Sequence, residues 1–209
     1  MLIIISPAKT LDFKTPSPIS KYSIPEMLDE SKKLTGKLRE LSAEEISELM
    51  GISSSLAYLN YERFQTWHTP FTPENAKQAV FAFNGDVYAG LDANSMTEGQ
   101  LGKAQKKLRI LSGLYGVLKP LDLIQPYRLE MGTKFRYEEA KDLYSFWKKK
   151  VTKKASFLLV TIEACRIKST RFVQKPHKNE EVLESRVRLA GTFFNERITY
   201  GPGYSQAET

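Results

Sequence analysis

A chain of 209 residues with 41% hydrophobic and 26% charged side chains is long enough to bury one real core, and no stretch approaches the ~20 apolar residues of a membrane span. One cysteine, Cys165, excludes an internal disulfide framework, and the start MLIIIS is too short for a secretion signal, so a reducing cytoplasmic setting is expected. The formal net charge of +7 is unevenly spread: residues 1–100 hold 9 Lys+Arg against 13 Asp+Glu, residues 101–136 hold 8 against 2, and residues 137–209 hold 14 against 9.

Leu2–Ile5 is an all-apolar, β-branched run that predicts a buried strand. The loop after it, Ser6-Pro7-Ala8-Lys9-Thr10, puts a lysine and two hydroxyls past a strand's carboxyl end, where open α/β sheets bind ligands. Without phosphate-loop glycines, an ordinary surface lysine is the competing reading. Residues 12–23 read as an irregular loop. Ser23-Ile24-Pro25-Glu26 has capping-box spacing and predicts a helix with Met27, Leu34, Leu38 and Leu41 inward. Ser42–Glu45 opens a second helix that Gly51 stops. A third spans Ser54–Trp67, with Leu56, Leu59, Phe64 and Trp67 inward. His68 has no Cys or second His nearby and reads as a capping or surface residue. Thr72-Pro73-Glu74 predicts a short helix, Ala79–Phe83 a strand, and Asn84-Gly85-Asp86 a turn, either of a hairpin or of an active-site loop.

Thr97-Glu98-Gly99-Gln100 is another capping box. It opens a helix over Gln100–Leu111 with Leu101, Ala104, Leu108 and Leu111 inward and Lys103, Lys106 and Lys107 clustered elsewhere. The segment SGLYG follows, with Gly113 and Gly116 around Leu114-Tyr115. Tyr127–Gly132 alternates with period two, placing Arg128 and Glu130 on one face about 7 Å apart. An ion pair explains the two most simply, and a charged cleft floor is the functional alternative. Residues 138–154 predict a last helix with Leu143, Phe146 and Trp147 inward.

The strings LIIISPAKTLDF, FTPENAKQAVFAFNGDVYAGL, LRILSGLYGVLKPLDLIQPYRLEMGT and KDLYSFW, in that order over about residues 1–150, resemble the YaaA family of bacterial peroxide stress resistance proteins. The resemblance implies an α/β fold: a mixed sheet with surrounding helices, a single compact domain of unusual topology with a basic cleft. It also implies DNA binding through a helix-hairpin-helix-like element, and limitation of free intracellular iron and oxidative damage. Carried over by position, it points to Ser6, Pro7, Lys9 and Thr10, and to Gly113, Tyr115, Gly116, Lys119, Pro120, Tyr127, Arg128, Glu130 and Gly132. After Lys154 neither the family's Asn-Leu-Ala-Ser motif nor its later Tyr-Ala-Lys-Lys-Ala-Arg-Gly motif is present. Residues 1–154 are therefore read as a YaaA-like domain incomplete on its C-terminal side. Residues 155–209 are read as a truncated, diverged or frame-shifted tail expected to pack poorly.

The expected nucleic-acid-binding set is Lys9, Lys103, Lys106, Lys107, Arg109, Gly113, Tyr115, Gly116, Lys119 and Arg128. Cations would grip phosphates, with Tyr115 and Tyr127 stacking on exposed bases of single- or double-stranded DNA. The alternative is an enzyme acting on a phosphorylated or nucleotide substrate, with Lys9 and Arg128 as anion clamps and Glu130 or Asp86 as base. Direct iron storage is disfavoured, because His68, His177 and Cys165 make a poor ligand set. No cofactor, metal or membrane partner is expected, and the expected state is a monomer.

Overall fold

The computed structural model describes residues 3–155. Along the chain run β1 (Ile3–Ile5), β2 (Thr10–Leu11), α1 (Leu28–Leu38), α2 (Ala43–Met50), α3 (Ser54–Thr66), β3 (Lys77–Gln78), α4 (Ala79–Ala82), β4 (Phe83–Asn84), α5 (Asp86–Leu91), α6 (Glu98–Lys107), β5 (Leu108–Ser112), β6 (Gly116–Leu118), β7 (Leu123–Ile124) and α7 (Leu143–Ala155). The expected mixed α/β class holds. The expectation of a poorly packed tail falls on residues outside those described.

β5 is the middle strand of a three-stranded sheet in the order β1, β5, β6. β1 runs parallel to it, with Ile3 beside Leu108 and Ile5 beside Ile110, and β6 pairs antiparallel, with Ser112 beside Gly116. Two-residue ladders join β2 to β4 and β3 to β7. Leu108, Ile110 and Ser112 point to the buried side of β5. β1 stands at the sheet edge, so Ile4 is 36% exposed and the expectation of a fully buried strand fails there.

Local signals in the sequence set several helix ends. Ser42 and Glu45 form the reciprocal capping box at α2, at 3.2 and 2.8 Å, and Gly51 ends it in the left-handed region. Thr97 and Gln100 do the same for α6, at 3.3 and 2.8 Å. The first helix differs. Its cap is Met27, without a side-chain bond, because Ser23 is drawn into a contact with Asp122. α7 begins at Leu143, where the Asp142 carboxylate accepts the Ser145 N–H at 2.7 Å.

Three expectations about element type are corrected. Thr72–Asn75 makes only turns, and Ala79–Ala82 is a short helix although a strand was expected. All four residues of that run are buried, and a fully buried apolar run carries no period to distinguish the two. Asn84-Gly85-Asp86 leads from β4 straight into α5, so there is no hairpin there. Leu59 is 41% exposed, not inward.

The irregular segment 12–23 is held from β3. Lys77 is buried, and its Nζ donates to the carbonyls of Asp12 at 2.8 Å and Thr15 at 2.7 Å. Gln78 donates to the carbonyls of Ile19 and Lys21 and accepts from Ser17 Oγ. Asp12 also accepts the N–H groups of Lys14 and Thr15. Hydrogen bonds from Thr15, then from Lys14 and the charge of Lys77, lower its pKa from 3.8 to about 2. A carboxyl depressed on folding stabilises the protein above its unfolded pKa and loses that contribution as pH falls through the folded one. Asp12→Asn is therefore expected to flatten the acid limb of urea stability between about pH 4 and pH 2 while leaving the neutral-pH slope unchanged. An identical acid limb in the variant would exclude Asp12 as its source.

Candidate nucleic-acid interface

The two ends of β5 carry different sets of cations. α6 feeds directly into the amino end of β5, so its last turn places Lys106 and Lys107 there, with Lys103 one turn earlier. All three are exposed, and their spacing brings the heads onto neighbouring positions of one helix surface. Lys119 follows β6 and, by the antiparallel register, returns to this same end. Its Nζ pairs with Glu26, and its N–H donates to Asp122 Oδ2 at 2.8 Å.

Arg109 is committed differently from what the basic stretch suggests. Its Nη1 donates to the carbonyls of Gln105, in the last turn of α6, at 3.0 Å and of Leu108, the first residue of β5, at 2.7 Å. It is thus chiefly a helix C-cap, and burial lowers its pKa against the opposing pull of Asp122 and Glu26. Beneath lies a partly buried cluster around buried Asp122 that sequence reasoning missed. Ser23 Oγ donates to Asp122 Oδ1 at 2.6 Å, Gln105 donates to Ser23 Oγ at 2.8 Å, and Gln105 Oε1 accepts the Leu121 N–H at 2.8 Å. Burial raises the pKa of Asp122, although the bonds from Ser23 and Lys119 oppose it. Nothing local in the sequence marks this set, whose members are up to 99 positions apart.

At the carboxyl end stand Lys9 and Arg128. Both reach the same oxygen of Glu130, Lys9 Nζ at 3.2 Å and Arg128 Nη2 at 3.1 Å. The expected Arg128–Glu130 ion pair is present, and the alternation persists in burial, with Tyr127, Leu129, Thr133 and Phe135 inward. Arg63, in α3, donates from Nη1 to Asn60 Oδ1 at 3.3 Å. Burial first, and the nearby Arg128 charge second, lower its pKa. Gly85 packs on Ala8, a Cβ there lying 3.2 Å from the Ala8 Cβ, so exposed Asp86 enters the same neighbourhood.

Lys9 and Arg128 therefore do not converge with Lys103, Lys106 and Lys107. The four steps of β5 that separate the two ends span about 13 Å. Among the described residues, the cations of the expected set stand at two ends of one strand.

The SGLYG segment also differs from expectation. It joins β5 to β6 as a β-hairpin, and α6 stops at Lys107, so the described residues contain no helix-hairpin-helix element there. Leu101, Ala104, Leu108 and Leu111 fit a helical period, but Leu108-Ile110-Ser112 also fits a strand, and pairing with β1 decides for the strand. Gly113, Leu114, Tyr115 and Gly116 are all buried. A Cβ on Gly113 would lie 2.2 Å from the Leu129 carbonyl oxygen, and Gly116, at φ +68°, abuts Met27 and Trp147. These glycines permit close packing and present no N–H surface to a phosphate.

Tyr115 and Tyr127 are at most 4% exposed and contact each other edge-to-face at 5.1 Å between ring centres. Trp67 Nε1 donates to the Tyr115 hydroxyl at 2.9 Å, and the Tyr127 and Ser112 hydroxyls are 2.6 Å apart. Burial raises the pKa of both phenols. Neither ring offers a stacking face to a base, which corrects that expectation.

Among the described residues no group of three or more His, Cys, Asp or Glu is placed to hold a metal ion, and no helix is long and apolar enough to cross a membrane. His177 and Cys165 lie outside the described residues.

The family model described as peroxide stress protein YaaA matches residues 1–164. The chain is 57% identical over 147 residues to a UPF0246 protein of Neisseria gonorrhoeae, covering 70% of this chain and 57% of that protein. It is 54% identical over 153 residues to one of Burkholderia lata, covering 73% and 59%. For one of Shewanella halifaxensis it is 58% over 147 residues, covering 70% and 57%. The chain thus spans less than three fifths of the length of these curated relatives.

Proposed function

Because this chain belongs to the peroxide stress protein YaaA family, we propose that it serves the peroxide stress response by binding DNA through the exposed lysine face of α6. The observation that carries this reading is the grouping of Lys103, Lys106 and Lys107 on the last turns of α6, in a segment with 8 basic and 2 acidic residues. Such a face binds the phosphate backbone by releasing its counterions and requires no base contact. With Tyr115 and Tyr127 in the core, the grip is electrostatic, which favours a duplex backbone over stacked single strands. DNA so covered is shielded from oxidative damage. The limitation of free iron is read as following an indirect route.

Titration of a labelled duplex across a salt series tests the reading. Affinity is expected to fall steeply with salt. The variant carrying Lys106→Glu and Lys107→Glu is expected to bind at least about tenfold more weakly, with a log–log salt slope shallower by about 2. Salt-insensitive binding, or equal binding by the variant, rejects the α6 face as the contact.

A further inference from the structure

The carboxyl end of β1 and β5 holds two cations on one carboxylate oxygen. Lys9 and Arg128 share Glu130 Oε1, at 3.2 and 3.1 Å. A single carboxylate between two cations leaves the group about one positive charge in excess. Arg128 is mostly withdrawn from water, at 17% side-chain exposure, whereas Glu130 is half-exposed, at 49%, and free to swing away. Glu130 also lines a cleft of about 580 Å³ between the end of α2 and the 130–134 segment, together with Glu48, Gly51, Thr133 and Lys134. Ligands of open α/β sheets bind beyond the carboxyl ends of parallel strands, and this cleft has the volume of an ordinary small-molecule site.

We propose that this end of the sheet binds a phosphate monoester, held by Lys9 and Arg128, with Glu130 occupying the site until the anion displaces it. A monoester dianion has twice the charge of a carboxylate and three terminal oxygens, so it can engage both cations at once. A guanidinium fork such as that of Arg128 matches two of those oxygens. The remainder of the molecule extends into the cleft toward Thr133 and Lys134. The monoester is either free, as in a nucleotide, or the terminal phosphate of a DNA strand. This site is independent of the α6 face, which stands at the other end of β5.

Calorimetric titration of the full chain with inorganic phosphate, with AMP, and with a short oligonucleotide bearing or lacking a 5′-phosphate tests the proposal. Saturable binding of a monoester is expected. Lys9→Gln and Arg128→Gln are expected to weaken it at least about tenfold, whereas Glu130→Gln, which removes the internal competitor, tightens it about three- to tenfold. AMP binding assigns the site to free monoesters. Binding of the phosphorylated oligonucleotide alone assigns it to strand ends, and either result supports the site. If Arg128→Gln does not fold, the exposed positions Lys9 and Glu130 still decide. No saturable binding by the parent and Glu130→Gln proteins would overturn the proposal, as would unchanged or weaker affinity in Glu130→Gln. Loss of monoester binding in the Lys106→Glu and Lys107→Glu variant would also overturn it, by placing the anion affinity on α6.

Discussion

Gly113→Ala is expected to be the most damaging single-methyl change in the described chain. The added Cβ would lie 2.2 Å from the carbonyl oxygen and 2.9 Å from the carbonyl carbon of Leu129, which are backbone atoms with no rotamer to change. Leu129 is buried, and the Gly113 carbonyl is itself held by Trp147 Nε1 at 2.9 Å, so neither side of the clash can retreat cheaply. The expected loss is about 3–5 kcal/mol, the upper range for overpacking and a large share of the ~5–15 kcal/mol that holds a typical domain. Gly116→Ala meets two obstacles: a positive φ worth about 1–2 kcal/mol against any other residue, and a Cβ 2.8 Å from the buried Trp147 ring. Its other neighbour, Met27 Sδ at 2.7 Å, is flexible and can yield, so about 3 kcal/mol is expected. Gly132→Ala, with nothing within 4 Å of the new Cβ, is the control and should change stability by less than about 0.5 kcal/mol. Urea denaturation of the three variants reads the order directly. A Gly113→Ala protein as stable as the Gly132→Ala protein would contradict the observed approach of the 127–130 segment to the β5–β6 hairpin.

Lys77→Met is the second large effect. The lysine is 8% exposed, and its ammonium satisfies two main-chain carbonyls, those of Asp12 and Thr15, with the Asp12 carboxylate 3.8 Å away. Burial lowers its pKa, and Asp12 partly restores it. Methionine fills similar space but donates nothing, leaving both carbonyls without a partner, so about 2–4 kcal/mol should be lost. The loss is local in origin, because Lys77 and Gln78 together supply the bonds that tie residues 12–21 to β3. Limited proteolysis should therefore show cleavage within this segment well before global unfolding, and cleavage elsewhere first would count against Lys77 as the pin. Most of the bonding goes to main-chain carbonyls, so Asp12→Asn should reproduce only the acid-limb change and not this loss.

What could be read from residue order alone was whatever depends on neighbours along the chain. The capping boxes at Ser42 and Thr97, the left-handed stop at Gly51 and the alternation of Tyr127, Leu129 and Met131, the last of them only half-buried, each rest on residues within a few positions of one another. The resemblance identified at sequence level was likewise carried by contiguous strings, and the family match bears it out. The lysines of α6 were legible for the same reason, since three- and four-residue spacing on a helix is local geometry.

Tertiary structure decided the rest, because it depends on which strands pair. A strand and a helix both satisfied the apolar pattern through Leu108–Leu111, and the partnership with β1 made it a strand. That choice fixed where every cation went: parallel pairing sends Lys9 to one end of β5, while α6 and the antiparallel return of β6 send Lys106, Lys107 and Lys119 to the other. It also turned SGLYG inward, where Trp67, Tyr127 and Trp147 close over it, so that residues with the composition of a phosphate turn serve as core. Lys77 gained its role only through a contact with Asp12, 65 positions away, a separation at which sequence carries no local signal. Composition by itself determined that this chain carries a concentrated basic segment, and the family resemblance implied the mixed α/β class. The pairing of β5 determined that its cations divide between two ends, because opposite ends of one strand cannot line a single small site.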